Sequence, residues 1–251
     1  MPALSHIRRH PVKGLGEEDI PRVALDAGAP LPFDRHWAVA HSKCGFEEWN
    51  PSWRHCRELL RVALIPELAL ARVAYDEASS FLTLSHPDLG EVAADPAKAP
   101  EAILDWVRPL ADRYVEGPYR LISAAPQAMT DFEHTHVSIA SESSLRALSD
   151  MAGAHLHFRR FRMNLWVEGA APWEEFDWVG REIRVGAARL KVIERDKRCA
   201  ATHANPDTGR RDLEITRLLH QRFGHMDFGL YAQVVEGGEV AVGDEVALVD
   251  P

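Results

Sequence analysis

Arg181-Glu182-Ile183-Arg184-Val185, Gly186-Ala187-Ala188 and Arg189-Leu190-Lys191-Val192-Ile193-Glu194 form the stretch that decides the fold. Apolar and charged residues alternate on both sides of a glycine turn. Each run therefore puts one face on a core and the other in water, and the turn makes the two runs antiparallel neighbours. The same device returns at Val242-Gly243-Asp244, which leads into a strand over Glu245 to Val249. Glu236-Gly237-Gly238-Glu239 predicts a hairpin. Upstream, Val137 to Ala140 reads as a strand, Ser141 as the cap of a helix carrying Leu145 and Leu148, and Asn164 to Val167 as another strand. A helix over Leu213 to Phe223 places Ile215, Leu218, Leu219 and Phe223 on one stripe and stops at Gly224.

The first half carries shorter signals. Leu4 to Val12 and Ile20 to Leu25 read as extended, and Trp37-Ala38-Val39-Ala40 as a buried strand. A short helix is predicted over Cys56 to Leu64, ending before Pro66. Leu68 to Tyr75, Phe81 to Ser85 and Glu91 to Ala94 read as short strands. Pro100 to Tyr114 has helical spacing, with Ile103, Leu104, Val107 and Leu110 on one face and Pro109 as a bend. Many short strands with few helices predict a β-rich, mixed α/β chain, mainly antiparallel and closed into a barrel that removes exposed edges. Strands do not alternate regularly with helices, which argues against a parallel βαβ sheet. Breakers at Glu116-Gly117-Pro118 and Ala125-Pro126-Gln127 predict two domains, 1–118 and 119–251.

Composition narrows the function. The chain has 251 residues, 46% hydrophobic and 27% charged, with a net charge of −9. That balance argues against general nucleic-acid binding, which wants a basic face. No apolar run approaches the roughly 18 residues of a membrane span, and the start of the chain lacks a basic-then-apolar leader, so a cytoplasmic protein without membrane contact is expected. The cysteines are three, Cys44, Cys56 and Cys199. An odd, sparse set with no Cys-x-x-Cys unit fits a reducing compartment and supplies no four-cysteine iron–sulfur cluster.

The chemistry concentrates in Arg195-Asp196-Lys197-Arg198-Cys199, followed by the turn Asn205-Pro206-Asp207-Thr208-Gly209. Nearby cations favour a thiolate, a soft ligand for a redox metal, and the turn leaves the sulfur near a rim. The same residues also fit a structural cysteine beside a solvated charge run. Lys13, Arg35 and Arg162 lie far apart in sequence and would make an anion pocket if the fold gathers them; read singly, each is a surface charge. The paired histidines His134/His136 and His155/His157 lack zinc-site spacing. Cys44 and Cys56, near Trp49 and Trp53, read as packing residues.

These segments resemble the MOSC-domain family, named for the C-terminal domain of molybdenum cofactor sulfurase, and within it the amidoxime-reducing group and its bacterial relatives. Pro11-Val12-Lys13-Gly14 and Asp34-Arg35-His36-Trp37 resemble the family's N-terminal β-barrel domain. Arg160-Phe161-Arg162-Met163-Asn164, Arg198-Cys199, the Asn205 to Gly209 turn and Phe228-Gly229-Leu230-Tyr231 resemble the MOSC domain itself. The resemblance implies a closed MOSC barrel beside a smaller N-terminal β-barrel-like domain. It implies molybdenum cofactor (Mo-molybdopterin), with Cys199 as metal ligand and catalytic centre. Lys13, Arg35, Thr135, Arg162, Lys197, Arg198 and Tyr231 are its implied cofactor contacts. Pyridoxal phosphate binding enters as an association of the family as a whole. Two departures stand out: Gly14 replaces a common serine, and Met163 replaces a common proline, which is expected to loosen the backbone before Asn164.

The implied activity is a molybdenum-dependent oxidoreductase acting on a small-molecule N-hydroxylated or N-oxide substrate. The chain ends after the last predicted strand, so no fused ferredoxin module is expected and an external ferredoxin- or flavoprotein-type electron donor is required. The alternatives are a sulfur or cofactor carrier using a Cys199 persulfide, and a non-catalytic β-barrel binding module.

Overall fold

The computed structural model describes residues 1–44 and 53–249. Its strands are β1 (Ala3–Arg9), β2 (Glu18–Ile20), β3 (Arg22–Leu25), β4 (Trp37–Ala40), β5 (Arg72–Asp76), β6 (Phe81–His86), β7 (Gly90–Ala94), β8 (Arg120–Ser123), β9 (Val137–Ser141), β10 (Leu165–Glu168), β11 (Glu182–Val185), β12 (Ala188–Lys197), β13 (Asp227–Glu236), β14 (Gly238–Ala241) and β15 (Val246–Leu248). The helices are α1 (Pro100–Ala111), α2 (Glu142–Ala152) and α3 (Ile215–Phe223). Mixed α/β structure dominated by antiparallel strands is what the residues predicted.

The main sheet has eight strands in the order β15-β11-β12-β13-β9-β10-β1-β2. β11 and β12 pair as expected, with Val185 opposite Ala188 across the Gly186 turn. The expected barrel does not close by a continuous ladder among the described residues. The start of β1 meets the turn before β15 through one bridge, Ala3 to Glu245, and a Leu4 N–H donated to the Asp244 carbonyl at 2.8 Å. β15 is only three residues long, too short to carry the pairing further.

Within a sheet that is antiparallel at its other pairings, β9 and β10 run parallel with α2 between them, a single βαβ unit. The sheet is covered on both faces here: Val137, Ile139, Leu165 and Val167 face one core, Ala140 and Trp166 the other, as alternate Cβ directions require. Three further expectations are corrected. β13 and β14 make no hairpin; β14 leaves its neighbour and pairs with β3. The Cys56 segment makes only a single 3-10 turn, Cys56–Glu58, because Leu60 N–H is taken by the Val39 carbonyl at 2.8 Å. Ser141 stands at the start of α2 without capping it, since its hydroxyl is shared with Ser143 at 2.9 Å.

Strands β4 to β8 lie in the β4-β8 pair and the β5-β6-β7 sheet, and α1 packs Ile103, Leu104 and Val107 into the same core as Leu82 and Leu84. Cys44 is buried with Ala38, Ala40 and Met129, in line with a packing role; Trp49 lies outside the described residues. Among the described residues no helix is long and apolar enough to cross a membrane.

A buried ionic cluster ties β1 to its surroundings. Arg8 donates to Glu17 at 2.9 Å and pairs with Asp19 at 3.0 Å. The His10 ring lies between Glu17 at 3.2 Å and Asp34 at 3.1 Å. Burial by itself pushes the Glu17 carboxyl up, but the His10 hydrogen bond and the Arg8 charge bring it down to about 2. Nearby, Asn164 accepts from the Ser138 N–H and hydroxyl at 3.1 and 2.8 Å and donates to the Arg8 carbonyl at 3.1 Å. Met163 is buried beside it, so the backbone is pinned rather than loosened.

A depressed folded pKa means that the ionised Glu17 favours the native state. Its contribution is complete above the unfolded value of 4.5 and disappears as pH falls towards 2. Glu17→Gln leaves Arg8 with Asp19 alone and is expected to cost about 3 kcal/mol, on the order of 10 °C in Tm at pH 7. Melting curves followed by circular dichroism across pH 2–7 should also show a shallower acid-side decline in the variant. An unchanged profile would remove Glu17 from the stability account.

Candidate functional site

β12 runs three residues past the predicted end at Glu194, and this extension builds the site. Its pairing with β13 shifts register between Val192 and Glu194 and again between Arg195 and Lys197. Such bulges re-aim successive side chains. Arg195 goes to the Phe176 ring, 4.3 Å from its centroid, and leaves the site. Asp196 turns inward, where it is 3% exposed. Cys199 follows in extended conformation with an exposed thiol. The Asn205 turn then folds the chain back as expected: Asp207 N–H donates to the Asn205 side chain at 2.8 Å and Gly209 N–H to its carbonyl at 2.9 Å.

Asp196 organises the floor. Tyr231 on β13 donates its hydroxyl to Asp196 at 2.8 Å, and Arg198 pairs with the other carboxylate oxygen. Burial pushes the Asp196 carboxyl up to about 6, against the pull of Arg198 and the Tyr231 hydrogen bond. Burial, with Asp196 alongside, holds the Tyr231 phenol well above its ordinary value, so it stays a donor. Arg198 also donates to the Phe161 carbonyl at 2.5 Å and to Met163 Sδ at 3.4 Å. Its guanidinium is thus largely committed to the protein.

Two arginines take left-handed backbone conformations, Arg35 at φ 47° and Arg162 at φ 54°. Such residues cost on the order of 1–3 kcal/mol each and persist where surrounding structure holds them. Here Arg35 Nη2 donates to the Arg162 carbonyl at 2.6 Å, and Arg35 N–H to the His10 carbonyl at 2.7 Å. Arg162 Nη1 donates to the Gly16 carbonyl at 3.1 Å, while its buried Nη2 has no partner. Burial lowers the Arg162 guanidinium to about 10, which leaves it charged at neutral pH. Lys13 Nζ donates to Asp131 at 2.6 Å. The next residue, Gly14, has φ 79°, and a Cβ there would lie 2.9 Å from the Leu60 carbonyl. A serine at this position would push the Lys13 turn off the Leu60–Arg61 segment, which gives the departure from the family pattern a steric reason.

These groups surround one cavity of about 230 Å³. Lys13, Arg35, Arg162, Lys197, Arg198, Cys199 and Tyr231 all line it. Thr135 does not; Thr130 and Asp131 from the same loop do. The lining carries eight cationic side chains, with Arg57, Arg61 and Arg160 completing the set, against two carboxylates, Asp131 and Asp196. Sequence reading missed His136, Ser138, Asp131, Asp196 and Cys56. Cys56, read as a packing residue, lies on the cavity wall with Cys199. The His136 ring packs at a tilt of 48° against Tyr231 with centroids 4.2 Å apart, and its Nδ1 is 3.0 Å from the His134 carbonyl. A carbonyl only accepts, so Nδ1 carries the proton and Nε2 is left as an acceptor. Burial lowers the His136 imidazole to about 4, so it is neutral at pH 7. Only Asp196 had a local signal, its place inside the Arg195 to Cys199 run; the others reach the cavity through tertiary packing. Among the described residues no cluster of three or more His, Cys, Asp and Glu is arranged to hold a metal ion.

Comparison with known proteins gives a consistent result. The family model of the MOSC N-terminal beta barrel domain matches residues 1–106, and that of the MOSC domain matches residues 126–247. Mitochondrial amidoxime-reducing component 1 of Xenopus laevis is 29% identical over 122 residues, 44% of this chain and 35% of its own length. Molybdenum cofactor sulfurase of Anopheles gambiae is 38% identical over 73 residues, 29% of this chain and 9% of its own. The chain thus spans about a third of the amidoxime-reducing relative and a smaller part of the sulfurase. A crystal structure of the YuaD protein from Bacillus subtilis aligns over 98% of this chain and 94% of its own, at 13% identity and a TM-score of 0.48. With both of the family's domain models matched in order along its length, the chain belongs to the MOSC-domain family.

Proposed function

We propose that this chain is a molybdenum-cofactor-binding oxidoreductase that reduces N-hydroxylated or N-oxide small molecules. The observation that carries the reading is the convergence, in a chain of net charge −9, of eight cations and one exposed thiol on a single cavity. The residues fit the cofactor chemically. Arg162 Nη2 is a buried donor without a partner, suited to an anionic oxygen, and Cys199 offers the soft sulfur that such a metal takes.

In this reading Lys13, Arg35 and Arg162 hold the phosphate and polar edge of the pterin, Lys197 stands at the rim, and Cys199 ligates the metal. Arg198 and Tyr231 act chiefly through Asp196, fixing the strand end from which Cys199 projects. When bound, the cofactor supplies two-electron redox and oxygen-atom transfer chemistry. The overall reaction of an amidoxime is its conversion to amidine and water with two electrons and two protons, the electrons coming from an external ferredoxin- or flavoprotein-type donor. The bare Nε2 of His136 is a hydrogen-bond acceptor on the cavity wall. We assign residues 1–118 and 119–251 as the two domains whose meeting forms the cavity. Nothing in the matched families or the relatives supports pyridoxal phosphate.

A second reading uses the same sulfur differently. Because the Cys199 thiol is exposed and one relative is named a molybdenum cofactor sulfurase, Cys199 is also placed to carry a persulfide. Cyanide-releasable sulfur on Cys199 with no stoichiometric molybdenum would select that carrier role.

Protein from a cofactor-competent host should contain close to one molybdenum and one pterin per chain, and should reduce benzamidoxime with an artificial donor. Cys199→Ser is expected to lose molybdenum while keeping its fold by circular dichroism. Chains free of both metal and pterin, inactive under those conditions, would overturn the proposal.

Arg162→Gln removes one charge-assisted donor and leaves its neighbours in place. Retention of pterin, measured by fluorescence after oxidation, should weaken by roughly ten- to a hundred-fold, as loss of about 1.5–3 kcal/mol implies. Undiminished pterin content would take Arg162 out of the cradle.

A further inference from the structure

The carboxylates around the cavity are not alike. Asp34 is buried and accepts the His10 backbone N–H at 2.8 Å, besides pairing with Arg35. Asp196 is buried and anchored by the Tyr231 hydroxyl at 2.8 Å, besides pairing with Arg198. Each is a fixture with a neutral anchor of its own. Asp131 is built differently. It lies on the irregular segment between β8 and β9, its side chain is 50% exposed, and among the described residues its hydrogen bond is to the Lys13 ammonium, at 2.6 Å. Lys13 itself is only 8% exposed, so the lysine is the fixed member of the pair and the aspartate the movable one. The Lys13 charge is the main reason that the Asp131 carboxyl is held down to about 2, with Arg35 and Arg198 adding to it against burial. Asp131 therefore sits in the field of the same cations that a phosphate group would use.

We propose that Asp131 is an internal counter-ion, which takes the anion position beside Lys13 in the ligand-free chain and is displaced by an incoming phosphate group. It rests on the anion-pocket reading above and adds to it a residue that sets affinity and selectivity. A doubly charged phosphate competes with the carboxylate for Lys13 more effectively than a singly charged anion does. The pocket thereby rejects chloride and simple carboxylates, although it is strongly cationic.

The test uses the full chain produced in a host that makes no pterin, titrated calorimetrically with inorganic phosphate at fixed ionic strength. Asp131→Asn should bind phosphate at least about five-fold more tightly than the unaltered chain, one charge at the Lys13 ammonium being worth about 1 kcal/mol or more at the contact. Glu133→Gln makes the same charge change on an exposed residue of the same loop and should shift the Kd less than about two-fold. If Asp131→Asn does not fold, Asp131→Ser serves in its place. Wild-type binding with no gain in the Asp131 variant, or an equal gain in Glu133→Gln, overturns the counter-ion while leaving the anion pocket standing. Phosphate binding by none of the proteins overturns both.

Discussion

The hydrogen bond from Arg35 Nη2 to the Arg162 carbonyl joins residues 127 positions apart and holds the site together. Each arginine is kept in a left-handed conformation, Arg35 also through the His10 carbonyl. This contact is possible because β1 pairs with β10, with Ile7 opposite Leu165, so that the Lys13 and Arg35 turns arrive beside the segment that precedes β10. Without that pairing the cations of the two halves of the chain would have no common cavity to face.

The electrostatics follow from the same geometry. An acidic chain has gathered cations at one place and set carboxylates behind them: Glu17 behind Arg8, Asp34 behind Arg35, with the His10 ring between these two carboxylates, and Asp196 behind Arg198. Buried pairs of this kind contribute little net stability, but breaking one leaves a costly uncompensated charge. They fix the guanidiniums in orientation. At Arg162, charged and buried, it is a terminal guanidinium nitrogen, Nη2, that has no partner, which suits it to an anionic ligand.

Much of the local structure was legible. β4 falls on the predicted Trp37–Ala40, β6 and β7 within a residue of their predicted bounds, and α3 stops at Gly224, whose φ of 76° suits the αL end of a helix. These elements are set by alternation, apolar stripes and glycine, all of which act over a few residues. The misreadings are of another kind. The Glu236 to Glu239 signal predicts a hairpin turn, yet the chain passes from β13 into β14 through Gly237 alone and β14 pairs with β3, since a glycine pair does not choose which edge is free to receive a strand. The two strands and the helix of the β9-α2-β10 unit were legible, but not the parallel pairing of β9 with β10, because local pattern does not name a strand's partner.

The sequence by itself determined the chemical inventory: a lone exposed-side cysteine after a basic run, a turn that returns the chain behind it, and Lys13, Arg35 and Arg162 in segments of a recognisable family pattern. Only the tertiary structure decided which of these meet. It sent Arg195 to Phe176, kept Thr135 off the cavity wall, committed Arg198 to Asp196, and brought Asp131, His136 and Cys56 into the site. The physical reason is range: conformational propensity and periodicity act between neighbours in the chain, whereas burial, charge pairing and the sharing of a cavity are settled by strand register across more than half of its length.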